Sequence, residues 1–349
     1  MSLVLLTGIT GFLAAHVLDA LLAHPAGYRV RGTLRSLSKK DALLARLAPA
    51  DRERVELVVV EDTASSDLTE ALQGVEYVAH VASPYQLNVQ DAERDLLKPA
   101  IEGTLNVLRH AARTPSVRRI ALTSSFAAVT DFSKGGPNRP GYTYTPEDWN
   151  PSTYEDAVKA GGEGAFAYSA SKKLAEKAAF DFIEQEKPQF ELASFCPPMI
   201  YGQTLQPGVT KSNLNTSSKT IYGLLTNAEK VPDNRLPLFC HARDVADAHA
   251  NYFAVQDVPK TRRYLLCSPE PYTWELAVGL LAQDPALEPR LPKNYKDVAH
   301  TDAESLKAKY ARLDTSLAQK ELGLQFCGFK QTLDESVQSL LELEKGADW

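Results

Sequence analysis

The sequence contains few cysteines and no pattern of residues typical of a metal site. Its 349 residues include four cysteines, and a disulfide framework or a zinc site would need them at short, regular spacings. They instead lie far apart, at Cys196, Cys240, Cys267 and Cys327. We therefore expect reduced thiols, a cytoplasmic protein and no metal site.

A surplus of positive charge is also missing. The chain has 38 lysines and arginines against 44 aspartates and glutamates, which gives a net charge of -6 and an isoelectric point of about 5.7. Nucleic acids and anionic membranes attract basic surfaces. We therefore expect neither of them as a partner and favour a role in small-molecule metabolism.

One apolar stretch, residues 3–23, has to be compared with a signal peptide and with a membrane span. No basic residue precedes it, and Gly8, Gly11, His16 and Asp19 interrupt it. Both observations argue against a signal peptide and against a span. The sequence also shows no internal repeat and no low-complexity tract.

The N-terminal segment has the pattern of a strand, a glycine turn and a helix. Residues 3–6 are apolar, as in a buried strand, and Gly8 and Gly11 follow closely. In dinucleotide-binding folds such glycines permit a tight turn and a close approach of the backbone to a pyrophosphate, and a small residue such as Ala14 lets the helix pack closely. The helix N-terminus then faces the phosphates. Two residues separate these glycines, whereas a single residue separates them in the commonest dinucleotide-binding motif. The prediction of a dinucleotide site therefore depends on the strand before the glycines and the helix after them.

Two basic residues follow the second predicted strand, residues 28–34. NAD-specific sites usually place a carboxylate here to bind the ribose hydroxyls, but this sequence has Arg35, with Lys39 one helical turn later. Cations at this position suit a 2′-phosphate and predict NADPH as the cofactor. The alternative is a solvent-exposed basic start of a helix.

A tyrosine and a lysine lie four residues apart in a predicted helix, at Tyr168 and Lys172. Residues at this spacing share a helix face. A nearby cation favours phenolate and makes tyrosine a usable proton donor near neutral pH. Residues 123–125, Thr-Ser-Ser, end a predicted strand where ligands bind in such sheets. Together these features predict an enzyme, although an ordinary amphipathic helix has the same spacing.

Apolar runs and helical patterns alternate along the chain, as a parallel sheet requires. The sequence predicts an α/β fold with a doubly wound parallel sheet, of the Rossmann type, and a smaller C-terminal substrate-binding lobe. The dinucleotide-binding domain would comprise residues 1–195 and about 235–268, and the lobe about 196–234 and 269–349. Strands are predicted at residues 2–7, 28–34, 55–60, 75–81, 119–123, 192–195, 236–240 and 263–266.

These motifs together resemble extended short-chain dehydrogenases/reductases. The resemblance is carried by residues 7–12, Arg35 with Lys39, residues 123–125, Tyr168 with Lys172, and residues 243–249. Residues 82–84, 93–97, 171–173 and 214–217 are similar to fungal NADPH-dependent methylglyoxal and isovaleraldehyde reductases and related yeast carbonyl reductases. Plant dihydroflavonol and cinnamoyl-CoA reductases are more distant. The resemblance covers nearly the whole chain.

The resemblance implies a catalytic role for three residues. Tyr168 would protonate the carbonyl oxygen of the substrate, and Lys172 would lower the tyrosine pKa and bind the nicotinamide ribose. Ser125 matches the family's catalytic serine and would donate a hydrogen bond to the same oxygen. Ser124 stays open as an alternative, because a shift of one residue separates the two.

The resemblance also implies a set of cofactor contacts. Ordinary structural roles exist for several of them: Asp62 as a helix cap, Ser83 in a turn and Pro197 as the end of a strand. The implied contacts are Gly8, Thr10, Gly11, Phe12, Leu13, Arg35, Lys39, Asp62, Thr63, Ala82, Ser83, Thr123, Tyr168, Lys172, Pro197, Ile200 and Ser217.

The substrate pocket implied by the resemblance is mostly apolar. Its positions are Tyr85, Phe126, Thr130, Ala165 and Met199. Apolar walls discriminate weakly between substrates, by about 1 to 3 kcal/mol per methylene, so broad acceptance of aldehydes and ketones is expected. Thr130 and Met199 stand where a yeast methylglyoxal reductase has aromatic residues, which predicts a wider pocket.

The sequence thus predicts an NADPH-dependent carbonyl reductase that acts on aldehydes or ketones, as a monomer or homodimer. One alternative is an NAD-dependent enzyme similar to nucleotide-sugar epimerases, which share the fold and the Tyr/Lys pair. Arg35 and Lys39 count against it. The other alternative is a regulator that senses NADPH on the same fold without catalysis, and Tyr168 with Lys172 argues against it.

Overall fold

The computed structural model describes residues 1–83, 89–161, 165–298, 305, 308–346 and 349. Within these residues the chain forms β1 (Leu3–Leu6), β2 (Arg29–Leu34), β3 (Val55–Val59), β4 (Tyr77–His80), β5 (Arg119–Thr123), β6 (Thr143–Tyr144), β7 (Glu191–Cys196), β8 (Met199–Tyr201), β9 (Phe239–His241), β10 (Thr261–Leu265) and β11 (Arg312–Leu313). Seven of them make a central sheet in the order β10-β7-β5-β4-β1-β2-β3. All neighbours in this sheet are parallel.

Helices connect these strands. The α-helices are α1 (Phe12–Ala23), α2 (Lys40–Ala45), α3 (Pro49–Arg52), α4 (Thr69–Leu72), α5 (Lys98–Ala112), α6 (Tyr154–Ala160), α7 (Ala165–Glu186), α8 (Thr216–Gly223), α9 (Ala242–Tyr252), α10 (Trp274–Leu281), α11 (Ser316–Leu322) and α12 (Phe329–Glu344). A π-helical turn, Glu93–Leu97, precedes α5, and Pro99 lies in the first turn of α5. Proline is tolerated there because the amide has no intrahelical partner. Short 3-10 turns occur at Leu37–Lys39, Phe126–Ala128, Phe132–Lys134, Lys211–Asn213, Glu288–Arg290 and Tyr295–Asp297.

The strand order defines where a ligand binds. The connections proceed outward in one direction from β1 through β2 to β3 and in the other direction from β4 to β10. The order therefore reverses between β1 and β4, and a crevice opens there at the carboxyl ends of the strands. The predicted doubly wound parallel sheet is confirmed.

Alternating side chains of the strands build two cores, one on each face of the sheet. In β1, Val4 and Leu6 belong to the core that includes buried residues of α1 and α9. Leu3 and Leu5 belong to the opposite core, which includes residues of α5 and α7. This period of two is the geometry of a strand that is covered on both faces, and it fixes the register of the sheet.

The C-terminal lobe has a separate core. Buried side chains of α8, α10 and α12 pack together with Tyr201 and Phe239. α11 lies in the C-terminal part of the chain but packs on the sheet core through Ala318 and Leu322.

One predicted strand joins a different sheet. Residues 236–240 were expected to return the chain toward the main sheet, but β9 begins at Phe239 and pairs in parallel with β8. β6 and β11 form a second such pair. Periodicity in the sequence shows which face of a strand is buried but does not identify the neighbouring strand.

The four cysteines are free thiols. Cys196, Cys240 and Cys267 are fully enclosed, and Cys327 is partly exposed. Burial raises the pKa of the Cys196 and Cys267 thiols to about 12.

A buried ion pair connects several parts of the chain around the central sheet. Arg263 on β10 donates from Nε to Oε1 of Glu176 on α7 over 2.9 Å and from Nη2 to Oε2 over 3.1 Å. Its guanidinium also donates to the carbonyls of Ala128 and Pro146 and lies 3.8 Å from the ring centre of Trp149. Both charged groups are almost fully buried. Each therefore needs the other as its counter-ion.

We expect Arg263→Gln to lower the free energy of unfolding by about 3 to 5 kcal/mol, because Glu176 would keep a buried charge without a cation. The matched control is Arg262→Gln. The neighbouring Arg262 pairs with Glu321 in a partly exposed position, so we expect a loss of about 0 to 1 kcal/mol. Urea unfolding of both variants measures the difference, and equal losses would contradict the special role of the buried pair.

Candidate functional site

A cleft of about 1650 Å³ opens at the carboxyl ends of the central strands. Pockets for single small ligands usually measure about 300 to 1,000 Å³, so this cleft has room for a dinucleotide together with a substrate. Most of the residues predicted from the sequence line it. They are Gly8, Thr10, Gly11, Phe12, Leu13, Arg35, Lys39, Asp62, Thr63, Ala82, Ser83, Thr123, Ser125, Phe126, Thr130, Ala165, Tyr168, Lys172, Met199, Ile200 and Ser217.

Two predicted residues stand apart from this set. Tyr85 lies outside the residues that the structure describes. Pro198 lines the cleft at the place expected for Pro197. The carbonyl of Pro197 instead accepts a hydrogen bond of 2.8 Å from the amide of Phe126, so this proline helps to hold the turn after β5.

The turn between β1 and α1 requires glycine. Gly8 has φ +67°, and a Cβ at this position would lie 3.1 Å from Cβ of Ala82. The amide of Gly8 donates to the Thr33 hydroxyl over 2.9 Å. Gly11 is the N-cap of α1 and offers no side chain to the first amides of the helix. The backbone amides in the first turn of α1, which begins at Phe12, are therefore available to bind an anion such as a pyrophosphate.

A threonine and a histidine hold the ends of β1 and β4 together. The Thr7 hydroxyl accepts hydrogen bonds from the amides of Val81 and Ala82, both at 3.0 Å. It therefore donates its own proton to Nδ1 of His80, 2.9 Å away. Burial, with a smaller effect of Lys172, lowers the pKa of His80 to about 3, so this imidazole is neutral. His80 lines the cleft and was missed from the sequence, where its only signal was a histidine at the end of an apolar run.

The two predicted phosphate-binding cations lie at one end of the cleft. Arg35 and Lys39 are exposed, and within the described part of the chain neither donates a hydrogen bond or forms an ion pair. Asp62 lies nearby and is bound to its own turn. The Ala64 amide and the Ser65 hydroxyl donate to its carboxylate and lower its pKa, with a minor contribution from Arg35.

Lys172 is buried at the carboxyl end of β5. Its Nζ donates to the carbonyl of Thr123 over 3.0 Å and lies 3.4 Å from the Ser83 hydroxyl. Burial lowers its pKa to about 8, against opposing effects of Glu176 and Cys196. The ammonium therefore keeps its charge at neutral pH. Tyr168 lies one turn earlier on α7 and lines the same cleft.

The two candidate serines have different partners. The Ser124 hydroxyl is buried and donates to Oε2 of Glu176 over 2.8 Å. The Ser125 hydroxyl accepts from the amide of Ala127 over 3.1 Å and so caps the short 3-10 turn. A hydroxyl that accepts in this way can still donate its proton, and Ser125 is the less buried of the two serines.

Two residues of the predicted substrate wall, Phe126 and Thr130, pack on Tyr144. Phe126 packs edge to face on Tyr144, with 5.1 Å between ring centres. The Thr130 hydroxyl lies 3.3 Å from the hydroxyl of Tyr144 and is completely buried. The sequence did not identify several other lining residues, which chain segments far apart in sequence bring together. They include Phe132, Pro198, Tyr201, Lys230, Asp233, Arg235, Leu236 and Trp274.

One small group of potential metal ligands lies away from these residues. His241, Asp244 and Cys327 place one ligand atom each within 4.8 Å of one another. Hydrogen bonds account for this arrangement. Asp244 accepts from the amide of Cys327 over 2.9 Å and from its thiol over 3.2 Å, and Nδ1 of His241 accepts from the amide of Arg243 and caps α9.

The structure combines a doubly wound sheet, a glycine turn after β1 and a Tyr/Lys pair beside a serine after β5. This combination defines an extended short-chain dehydrogenase/reductase. The sequence profile of the NAD dependent epimerase/dehydratase family matches residues 4–267. The chain belongs to this family, and the resemblance inferred from its motifs is confirmed.

The relatives of the chain include several reductases. The chain is 32% identical to the NADPH-dependent methylglyoxal reductase GRE2 of Saccharomyces cerevisiae, over 98% of both chains. It is 34% identical to the ketoreductase azaE of Aspergillus niger, over 97% of both. The crystal structure of Gre2 from Candida albicans in complex with NADPH superposes with a TM-score of 0.85 at 30% identity, over 99% of this chain and 100% of that one.

Within the described residues, no helix has both the length and the apolar character needed to cross a membrane.

We expect Gly8→Ala to weaken binding of NADPH by at least about tenfold, because the left-handed backbone costs about 1 to 2 kcal/mol for alanine and the added methyl would press on Ala82. Gly74→Ala is the control, since Gly74 has a similar φ of +72° with nothing within 4 Å of the added Cβ. Fluorescence titration measures binding, and thermal unfolding measures the shared backbone penalty. Equal weakening by both variants would show that the contact with Ala82 does not matter.

Proposed function

We propose that this protein is an NADPH-dependent carbonyl reductase that converts aldehydes and ketones to alcohols. The main support is one cleft that holds both the Tyr168/Lys172 pair and two cations, Arg35 and Lys39, which make no hydrogen bond or ion pair with the residues that the structure describes. The glycine turn with the uncapped start of α1 between them suits the pyrophosphate of a dinucleotide. The reductases among the relatives support the same reaction.

The side chains of the cleft supply the proton and hold the substrate. The reduced nicotinamide supplies hydride to the carbonyl carbon. Tyr168 gives its phenolic proton to the carbonyl oxygen, so that hydride and proton together yield the alcohol. Lys172 stabilises the phenolate that remains, because its ammonium is held in the cleft by Thr123. Ser125 donates a hydrogen bond to the same oxygen and orients the carbonyl.

The difference in partners favours Ser125 over Ser124 as the catalytic serine. Ser124 uses its proton in the bond to Glu176. Among the residues that the structure describes, Ser125 accepts a bond from Ala127 and donates none, so its proton can serve a substrate.

The remaining cofactor contacts are assigned by the family resemblance, and the lining of the cleft by these residues supports them. Ala82 and Ser83 would lie beside the ribose and phosphates, and Asp62 and Thr63 beside the adenine. Ile200 would lie on the nicotinamide side, and Ser217 would contact a phosphate. The enzyme acts in the cytoplasm as a monomer or homodimer, without nucleic acid as a partner. Residues 1–195 with 235–268 bind the dinucleotide, and the rest of the C-terminal half, apart from α11, forms the substrate lobe.

We expect Tyr168→Phe to lower kcat by about 10² to 10⁴, because the proton donor is lost while the ring is kept. Ser125→Ala should also reduce kcat, and Ser124→Ala should reduce it much less. NADPH oxidation with isovaleraldehyde measures all three variants. An unchanged rate for Tyr168→Phe would contradict the mechanism, and a larger loss for Ser124→Ala than for Ser125→Ala would reverse the choice of serine.

We expect Arg35→Ala to raise the KM for NADPH by about tenfold or more and to leave the KM for NADH nearly unchanged, because only NADPH carries the 2′-phosphate. Arg52→Ala is a control in the same region, since Arg52 bonds to the carbonyl of Leu47 and does not line the cleft. Equal losses for both cofactors in Arg35→Ala, or purification of the protein with tightly bound NAD, would favour an epimerase-like enzyme.

A further inference from the structure

The cleft carries a second pair of cations, away from Arg35 and Lys39. Lys230 and Arg235 belong to the segment that joins α8 to β9, and both line the cleft. The wall around them is formed by Met199, Leu236 and Trp274, which come from β8, this segment and α10. These are elements of the C-terminal lobe and not of the turns that surround the dinucleotide.

One backbone amide and the side chain of Asn234 bond this segment to the rest of the C-terminal lobe. The amide of Val231 donates to Oδ1 of Asn294 over 2.8 Å. Asn234 accepts from the amide of Trp274 over 2.8 Å and donates to Glu275 over 2.5 Å. Lys230 and Arg235 take no part in these bonds, and both line the cleft.

Lys230 and Arg235 have no partner within the described part of the chain. Both are exposed, and neither makes a hydrogen bond or an ion pair there. Most arginines of this protein are paired, as Arg290 is with Glu344 in the same lobe. Asp233 also lines this wall, so two positive charges stand against one negative charge.

The position of the pair separates it from the cofactor. Arg35 and Lys39 follow β2 and account for the 2′-phosphate, and the start of α1 accounts for the pyrophosphate. Leu236, next to Arg235, packs on the core that contains Phe126, and Phe126 follows Ser125 in the turn that orients the carbonyl. An anion near Arg235 would therefore belong to the substrate.

We propose that Lys230 and Arg235 form a subsite for a carboxylate, so that the preferred substrates are aldehydes or ketones that carry a carboxylate remote from the reacting carbonyl. This inference rests on the proposed carbonyl reductase function and narrows its substrate class. Arg235 binds the carboxylate through its planar guanidinium, and Lys230 adds a second positive charge. The apolar wall contacts the chain between the two ends of the substrate.

The test compares acids with their methyl esters, which differ in charge but little in size. The substrates are 4-carboxybenzaldehyde and 6-oxohexanoate, each beside its ester, so that a rigid and a flexible spacer are both sampled. We expect kcat/KM for the acid to exceed that for the ester by about three- to thirtyfold at low salt for at least one pair. The ratio should fall as ionic strength rises.

Three variants identify the cause of the preference. Arg235→Gln should lower the ratio of acid to ester by about tenfold, with the KM for NADPH changed much less than the KM for the acid. Asp233→Asn should raise the ratio, because it removes the opposing charge. Lys219→Gln is the control, since it removes one positive charge from an exposed position on α8 outside the cleft, and it should leave the ratio unchanged.

The outcomes separate this inference from the function on which it rests. Turnover of the esters with NADPH and no preference for either acid would overturn the subsite and leave the carbonyl reductase intact. A parallel rise in the KM for NADPH with acids and esters in Arg235→Gln would assign the cations to the cofactor and also overturn it. Absence of turnover with all four compounds would count against the reductase function itself.

Discussion

The geometry of the site depends on the buried carboxylate of Glu176. This side chain accepts hydrogen bonds from Ser124 at the end of β5, from Ser194 on β7 and from both sides of the Arg263 guanidinium. It lies one helical turn after Lys172 on α7. Enclosing two opposite charges contributes little net stability, but their directional bonds fix α7, which carries Tyr168 and Lys172, relative to the turn with Ser124 and Ser125 after β5. Small displacements of such groups have large effects on rate.

The charge of the cleft differs from the charge of the chain as a whole. Its cations belong to three groups. Arg35 and Lys39 lie at the proposed 2′-phosphate site, Lys172 is buried beside Tyr168, and Lys230 and Arg235 belong to the C-terminal lobe. The chain as a whole is acidic, with a net charge of -6. Five cations and four carboxylates, Glu61, Asp62, Glu176 and Asp233, line the cleft. The cleft is therefore slightly positive within an acidic protein, which suits anionic small molecules.

Local features of the site could be predicted from the sequence, and distant ones could not. Gly8, Tyr168 and Lys172 were found because a turn or one helix face determines their arrangement. The contact of Arg263 with Glu176 spans 87 residues, and the pairing of β8 with β9 also joins distant segments. Arg235 also lines the cleft without a local pattern in the sequence that predicts it. Patterns of apolar residues show which side of an element is covered but not which element covers it.

The enclosure of the cysteines has a consequence for the chemistry that the protein handles. Aldehydes are electrophiles, and it is the thiolate form of cysteine that attacks such carbon atoms. Cys196 and Cys267 are kept protonated and out of contact with solvent, and burial also raises the pKa of Cys240. The fold therefore protects these thiols from adduct formation by electrophiles, including the aldehydes of the proposed reaction.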